Sequence, residues 1–214
     1  MKLRLLIIST LISISFSSKK NFDIYLESEL PYLKSLYMDI HQNPEISLME
    51  KETSIKLAGE LRKIGFDVYE NFGGYGVVGV LKNGEGPTIL YRTDMDALPM
   101  EEKTGLPYAS KIITKNVDGN YVGTMHSCGH DMHMTVWTGT ARALVERKNE
   151  WNGTVIMIGQ PAEEIGAGAA MMLNEGLFEK FPIPDYGIAL HSSATIPNGK
   201  VGFGKGYIMA NTES

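Results

Sequence analysis

The most unusual stretch of the sequence is MHSCGHDMHM, residues 125–134. The chain has five histidines and one cysteine in 214 residues, and three of the histidines and the only cysteine lie in this stretch. Thiolate and imidazole groups are ligands that zinc favours in proteins. Cys128 and His130, separated by one glycine, could face a single point from a tight loop, although His126 and His133 could contribute instead. The cluster therefore predicts a metal site whose ligands the spacing leaves open.

Two adjacent acids, Glu163 and Glu164, follow an apolar run and a proline. Such a pair suits a hydrolytic metal site, because one carboxylate can bind the metal while its neighbour stays free to move a proton. Adjacent acids alone are usually a solvated turn, but the Cys/His cluster and His191 in the same chain favour the metal site. Asp94 and Asp96 could be ligands, or carboxylates that orient an imidazole.

The first twenty residues have the order of a secretory signal. Two basic residues precede an apolar run from Leu5 to Phe16, and small serines follow it. We therefore expect residues 1–18 to be a cleaved signal peptide, residues 19–214 to form the mature chain, and that chain to be secreted or periplasmic. The alternatives are a buried strand or a lipid anchor, since the apolar run is too short to span a bilayer comfortably.

An oxidising compartment makes the single cysteine informative. Cys128 has no partner for an intrachain disulfide, and a free thiol outside the cytoplasm is open to oxidation. Coordination to a metal would protect the thiolate, whereas simple burial is the usual alternative for a lone cysteine.

The overall composition predicts a globular domain with a sizeable core, since 43% of the residues are hydrophobic and 21% are charged. The formal net charge is -5, and no stripe of basic residues alternates with aromatic ones. A nucleic-acid partner is therefore not expected.

Hydrophobic periodicity places the candidate residues on alternating helices and strands. Residues 26–40 and 48–64 have helical spacing, with Pro31 expected in or before the first turn. Residues 132–151 and 168–179 predict two more helices. Three apolar runs end near Asp96, Glu164 and His191, and so predict buried strands with polar groups at their carboxyl ends. The pattern predicts an α/β domain, with its site at those strand ends.

Five motifs resemble, in order, those of the amidohydrolase branch of the M20 metallopeptidases. They are HQNPE (41–45), RTDMDALPM (92–100), MHSCGHDMH (125–133), GQPAEE (159–164) and ALHSSATIPNGKVGF (189–203). That branch includes aminoacylase-like enzymes, hippurate hydrolases, N-acetyl-diaminopimelate deacetylases and plant indole-acetyl-amino-acid hydrolases. The resemblance implies a zinc-exopeptidase-like catalytic domain, with a mixed sheet flanked by helices, that hydrolyses the amide bond of small N-acyl amino acids.

The resemblance also implies a cofactor and a role for each candidate residue. Two divalent metal ions, Zn or Mn, would be bound. Their ligands in this chain would be Cys128, His130, Glu164 and His191. Glu163 would be the general base, and Asp96 the orienting carboxylate. One departure is Ala189, where the family usually has glycine.

Members of this family are considerably longer than 214 residues. They carry a lid or dimerisation domain beyond the region that matches the end of this chain, and then a last metal histidine; the full-length form is expected to be a homodimer. We therefore expect an incomplete catalytic domain that is inactive alone. The alternatives are a non-catalytic, secreted metal-binding remnant and an M20 dipeptidase, although the CGHD motif disfavours the dipeptidase.

Overall fold

A computed structural model describes residues 2–206, with side chains from residue 21 onward. The chain begins with a long helix, α1 (Lys2–Gln42), which contains Pro31. The expected position of Pro31 in or before the first turn is wrong, because the helix begins much earlier. The predicted signal peptide, residues 1–18, lies outside the residues whose side chains are described. Among the described residues, no helix has the length and apolarity needed to cross a membrane.

Seven strands are found in the described part of the chain. They are β1 (Asp67–Tyr69), β2 (Val77–Asn83), β3 (Thr88–Asp94), β4 (Ile113–Lys115), β5 (Tyr121–Gly123), β6 (Gly153–Gln160) and β7 (Tyr186–Ala189). Five of them form a sheet of order β1-β2-β6-β3-β7, and β4 and β5 form a separate hairpin. β3 is parallel to β6 and β7, whereas β2 is antiparallel to β1 and β6. The hairpin was not predicted.

The helices after α1 are α2 (Lys51–Lys63), α3 (His130–Glu146), α4 (Gly168–Asn174) and α5 (Leu177–Lys180), with a short 3-10 helix at Lys148–Glu150. The helix predicted over residues 168–179 is therefore two helices. Gly176, with a φ of 90°, separates them, because a left-handed residue ends a helix. The predicted mixed sheet flanked by helices is confirmed.

The sheet is covered on both faces, so the side chains of its central strand alternate between two cores. Val155 and Met157 of β6 face a core shared with α1, α2 and α3, whereas Ile156 and Ile158 face a core shared with α4 and α5. This alternation follows from the two-residue period of a strand. Burial of each such side chain contributes about 1.5–3 kcal/mol, and the two cores fix the sheet between the helices.

Parallel pairing brings three strand ends to one edge of the sheet. Asp94, at the end of β3, is in register with Gln160 at the end of β6, and Arg92 is in register with Ala189 at the end of β7. The segments that follow these strands therefore begin side by side. The predicted delivery of polar groups by three strand ends is confirmed.

Candidate metal centre

The carboxyl edge of the sheet gathers side chains from four segments. Three of them follow β3, β6 and β7, and the fourth, residues 128–130, leads into α3. Gly129 has a φ of 83°, and a Cβ at this position would lie 2.5 Å from Ser192 Oγ. The left-handed turn favours glycine, and an added Cβ would also displace the Ser192 side chain of the segment that follows β7. The turn allows Cys128 and His130 to face the same side.

His130 is fully buried and is held through one ring nitrogen. Its Nδ1 donates to the backbone carbonyl of Asp96 at 2.7 Å, whereas its Nε2 has no hydrogen-bond partner among the described residues. Oxygens of Asp94, Glu163 and Glu164 surround Nε2 at 3.6–3.7 Å. Burial opposes a charge on the ring, but the Asp96 and Asp94 carboxylates raise the pKa of His130. An open nitrogen facing three acids is a place for a proton or a metal cation.

Cys128 and His191 meet beside this nitrogen. Cys128 Sγ lies 3.4 Å from His191 Nε2, and His191 Nδ1 donates to the Ser192 carbonyl at 2.7 Å. The hydrogen bond at Nδ1 leaves the lone pair of Nε2 directed toward the thiol. Burial, together with the charges of Glu164 and Glu163, raises the pKa of the Cys128 thiol to about 11. The thiol therefore needs a nearby cation in order to ionise at neutral pH.

Glu163 and Glu164 are adjacent but differ in their access to solvent. The side chain of Glu164 is 16% exposed, and its buried Oε1 has no hydrogen-bond partner in the described part of the chain. Burial and the charges of Asp96 and Glu163 raise the pKa of Glu164. The side chain of Glu163 is 36% exposed. Glu164 is thus the more buried of the two carboxylates, as suits a metal ligand. Glu163 is the more exposed, as suits a group that exchanges protons with water.

Asp96 connects three segments of the site. Its Oδ2 accepts hydrogen bonds from Ser47 Oγ at 2.6 Å and from the Glu164 backbone N–H at 2.9 Å. Its Oδ1 is 3.5 Å from His130 Nδ1, so the shorter contact to the imidazole is made by the backbone carbonyl. Burial alone would raise the pKa of Asp96, but the nearby imidazole of His130 and hydrogen bonds from Ser47 and the Glu164 amide lower it.

Asp94 and His133 form a hydrogen-bonded pair beside His130. His133 Nδ1 donates to Asp94 Oδ1 at 2.7 Å, and its Nε2 accepts from the Ser192 N–H at 2.8 Å. Arg92 donates to the other oxygen of Asp94 at 2.9 Å. Burial opposes ionisation, but the hydrogen bond from His133 and the charges of His130 and Arg92 lower the pKa of Asp94 to about 2. This pair ties α3 to the segment that carries His191.

The two remaining histidines lie away from the ligand groups. His126 is buried, neither of its ring nitrogens has a partner among the described residues, and burial lowers its pKa to about 4. His41 Nδ1 lies 2.6 Å from Asp131 Oδ2, and its Nε2 lies 3.0 Å from Glu102 Oε1. Neither histidine belongs to a cluster of candidate ligands in residues 2–206.

Sequence reasoning left His133 open and did not consider Ser47 or Glu50. A signal for His133 was present, because it lies three residues after His130 and hence on the same face of a helix. Ser47 and Glu50 carry no motif. Their contacts with Asp96 and Ala162 cross 49 and 112 residues of sequence, respectively, so no local pattern could reveal them.

The candidate ligands fit a divalent cation. Three groups each place their ligand atoms within 4.8 Å of one another, and His130 belongs to all three. They are Cys128, His130 and His191; Asp94, His130 and His133; and Asp96, His130 and Glu163. A cation here would satisfy the open Nε2 of His130 and the open Oε1 of Glu164, and would offset the concentrated negative charge.

Comparison with protein families agrees with this geometry. The model of "Peptidase family M20/M25/M40" matches residues 90–207, more than half of the chain. This chain belongs to that family. The matched range contains every segment of the metal centre from Asp94 to His191, and the resemblance inferred from the motifs is confirmed.

Similar proteins of known name or structure are considerably longer. Hippurate hydrolase from Campylobacter jejuni is 42% identical over 176 residues, which cover 82% of this chain and 43% of that protein. N-acetylcysteine deacetylase from Bacillus subtilis is 37% identical over 183 residues, which cover 85% and 45%. The crystal structure of B. subtilis YXEP, described as a dinuclear metal binding peptidase from the M20 family, matches with a TM-score of 0.70 and 35% sequence identity. The match covers 80% of this chain and 45% of that chain. The chain thus spans less than half the length of these relatives.

Proposed function

We propose that the protein containing this chain is a metal-dependent amidohydrolase that cleaves the amide bond of N-acyl amino acids. The observation that carries the proposal is the buried Nε2 of His130, which has no hydrogen-bond partner among the described residues and faces three carboxylates. A buried polar atom is costly unless a hydrogen-bond partner or a cation satisfies it, and the three surrounding carboxylates favour a cation.

Cys128, His130, Glu164 and His191 are the residues proposed to hold metal. Their mixture of thiolate, imidazole and carboxylate suits zinc, while the carboxylates in the site also permit manganese. The proposal includes two ions, as in the protein described as dinuclear. When bound, the ions would supply Lewis-acid chemistry, polarising the substrate carbonyl and lowering the pKa of water.

Glu163 is proposed to be the general base. Its Oε2 lies 3.7 Å from His130 Nε2 and its side chain is 36% exposed, so the carboxylate borders both the site and solvent. Its carboxylate would take a proton from the attacking water and then deliver it to the leaving amine. Asp96 would keep the site in place through its contacts with His130, Ser47 and the Glu164 amide.

The substrate class comes from the relatives, since the names of two of them are hippurate hydrolase and N-acetylcysteine deacetylase. Both names specify an acyl group joined to an amino acid or a related amine through an amide bond. We extend that class, but neither a particular acyl group nor a particular amino acid, to the present protein. Secretion through residues 1–18 and homodimerisation are further parts of the proposal, tested by N-terminal sequencing of the exported protein and by light scattering.

The decisive experiment uses the complete gene product that contains this chain. The protein is stripped with a chelator and reloaded with Zn or Mn; bound metal is counted, and release of amino acid from hippurate and from N-acetyl amino acids is measured. We expect two ions per chain and turnover that is lost on chelation and restored on reloading. Metal binding without turnover of any N-acyl amino acid would favour the non-catalytic remnant, and cleavage of unblocked dipeptides alone would favour the dipeptidase.

A further inference from the structure

The turn that carries Glu163 and Glu164 contains a residue in an unfavourable backbone conformation. Ala162 is fully buried and has a φ of 48°. A side chain with a Cβ rarely adopts positive φ, because the Cβ approaches neighbouring backbone atoms. Such a conformation persists where surrounding contacts hold it, and it occurs most often near functional sites. The contacts of Ala162 therefore indicate what places the two glutamates.

Glu50 makes one of these contacts from the other end of the sequence. It is fully buried immediately before α2, and its Oε1 accepts a hydrogen bond from the Ala162 N–H at 2.7 Å. Its second oxygen has no hydrogen-bond partner in the part of the chain that the structure describes. Burying a carboxylate is costly, and helix packing alone would be served better by an apolar side chain. The contact with Ala162 gives this buried acid a role.

Two buried carboxylates therefore hold the backbone on either side of Glu163. Glu50 accepts from the N–H of Ala162, and Asp96 accepts from the N–H of Glu164 at 2.9 Å. Asp96 is held in turn by Ser47, three residues before Glu50. Residues 47–50 thus support both sides of the turn.

We infer that Glu50 is a positioning residue, whose hydrogen bond to the Ala162 amide keeps the turn in the conformation that directs Glu163 and Glu164 toward His130. The roles of Glu163 and Glu164 in this inference rest on the proposed function, whereas the hydrogen bond between Glu50 and Ala162 does not. Glu50 acts through the backbone of Ala162, and among the described residues no hydrogen bond joins its side chain to a proposed metal ligand.

The first test follows the backbone and requires no metal. In the complete gene product, Glu50→Met keeps a similar side-chain size but removes the acceptor, whereas Glu50→Gln keeps an acceptor at the same reach. Amide exchange of residues 162–166 is expected to become about tenfold faster in Glu50→Met and to stay close to the parent rate in Glu50→Gln. Glu60→Met is the matched control, since Glu60 is a buried glutamate on α2 that bonds to Tyr32 and Lys63 instead.

The second test follows the site. Glu50→Met is expected to weaken zinc affinity by about 10- to 100-fold, as losses of groups that orient ligands do, and to lower kcat more than it raises KM. Glu50→Gln should restore zinc affinity and kcat to near the parent values. Glu60→Met should leave both unchanged, whatever its effect on Tm. If Glu50→Met does not fold, Glu50→Asp is measured instead, because it retains the charge but falls short of Ala162.

Unchanged amide exchange at residues 162–166 in Glu50→Met would overturn the inference, as would a Glu50→Gln variant that behaves like Glu50→Met. The two proposals can fail separately. A parent protein that binds no divalent metal would refute the proposed function, whereas the exchange comparison would still decide whether Glu50 holds the turn.

Discussion

In two histidines of this site, one ring nitrogen is held by a hydrogen bond and the other is left open. His130 and His191 each donate from Nδ1 to a backbone carbonyl, which fixes the ring and leaves the lone pair of Nε2 available. Imidazole ligands of metals are commonly oriented in this way, because the second hydrogen bond selects the tautomer. Both rings therefore present an Nε2 lone pair, which the proposed ligand role requires.

Glu163→Gln should separate proton transfer from metal binding. Glutamine can accept a hydrogen bond but cannot carry the proton, so kcat is expected to fall by about 10²- to 10⁴-fold while the metal content stays unchanged. The matched variant Glu164→Gln should instead lower metal content, because Glu164 is the more buried of the pair and has the open oxygen. Metal analysis together with steady-state kinetics measures both, and loss of metal in Glu163→Gln would exchange the two assignments.

Glu50 should make the free energy of unfolding depend on pH. Burial raises its pKa from 4.5 to about 6, so the folded protein holds this proton more tightly than the unfolded chain does. Stability due to the neutral acid is fully present below pH 4.5 and is lost as pH rises through about 6. Relative to the parent, Glu50→Gln is expected to gain about 2 kcal/mol between pH 4 and pH 7.5.

Denaturant unfolding of the metal-free protein at these two pH values measures this difference. Glu52→Gln, at an exposed position on the same helix, shows how much of the change comes from removing any acid from α2. If the difference in unfolding free energy between Glu50→Gln and the parent does not change with pH, the Glu50 carboxyl has the same pKa in the folded and unfolded states.

At the scale of elements, the direction of the strands determines which edge of the sheet carries the site, and the short connection between β6 and α4 fixes the position of the two glutamates. Parallel pairing of β3 with β6 and β7 puts three loops on one edge. Between β6 and α4 the chain folds back closely: the N–H groups of Ala167 and Gly168 both donate to the carbonyl of Ala162. The start of α4 and the turn that holds Glu163 and Glu164 are thus one packed unit.

Two glycine-to-alanine substitutions should therefore have opposite effects. A Cβ at Gly168 would lie 1.5 Å from the backbone oxygen of Pro161, so Gly168→Ala must displace the turn and is expected to cost about 1–3 kcal/mol. Gly59, inside α2, has nothing within 4 Å of an added Cβ, and Gly59→Ala is expected to stabilise by about 0.5–1 kcal/mol.

Thermal and denaturant unfolding compare the two variants, and zinc affinity should fall only in Gly168→Ala. Equal stability of both variants would show that the connection after β6 has more freedom than its packing indicates.

At the scale of the whole molecule, the site joins regions that are far apart in sequence. Isolated bridges pair Ile46 with Ala97 and Leu98 with Met125, so the segments before α2, after β3 and before α3 lie together. The segment after β7 is attached less firmly. All four residues of β7 are exposed, and among the described residues this strand pairs only with β3.

Metal binding should therefore slow amide exchange most in the β7 segment. Coordination by His191 would tie this exposed strand to Cys128 and His130 at the start of α3, where Ser192 already donates to His133. On adding zinc to the metal-free protein, we expect residues 186–193 to gain protection, while α2 (Lys51–Lys63) changes little. Equal protection of β7 with and without zinc would argue against His191 as a ligand.

Residue types and their local order were enough to predict the fold class and the candidate residues. The strand and helix periodicities predicted the α/β framework, since each element's buried faces repeat with its own period. The concentration of histidine and cysteine in residues 125–134, and the acids after β6, predicted where the chemistry lies. The assignments of Asp96 as the orienting carboxylate, of Glu163 as the base, and of Cys128, His130, Glu164 and His191 as metal ligands all stay predictions.

Only the tertiary structure decided which atoms meet. It placed the Asp96 backbone carbonyl, rather than its carboxylate, closest to His130 Nδ1, paired Asp94 with His133, and brought Glu50 to Ala162. These contacts join residues between 34 and 112 positions apart. They depend on sheet order and on the packing of α2 and α3 against the sheet, whereas periodicity records only which side of its own element each residue faces.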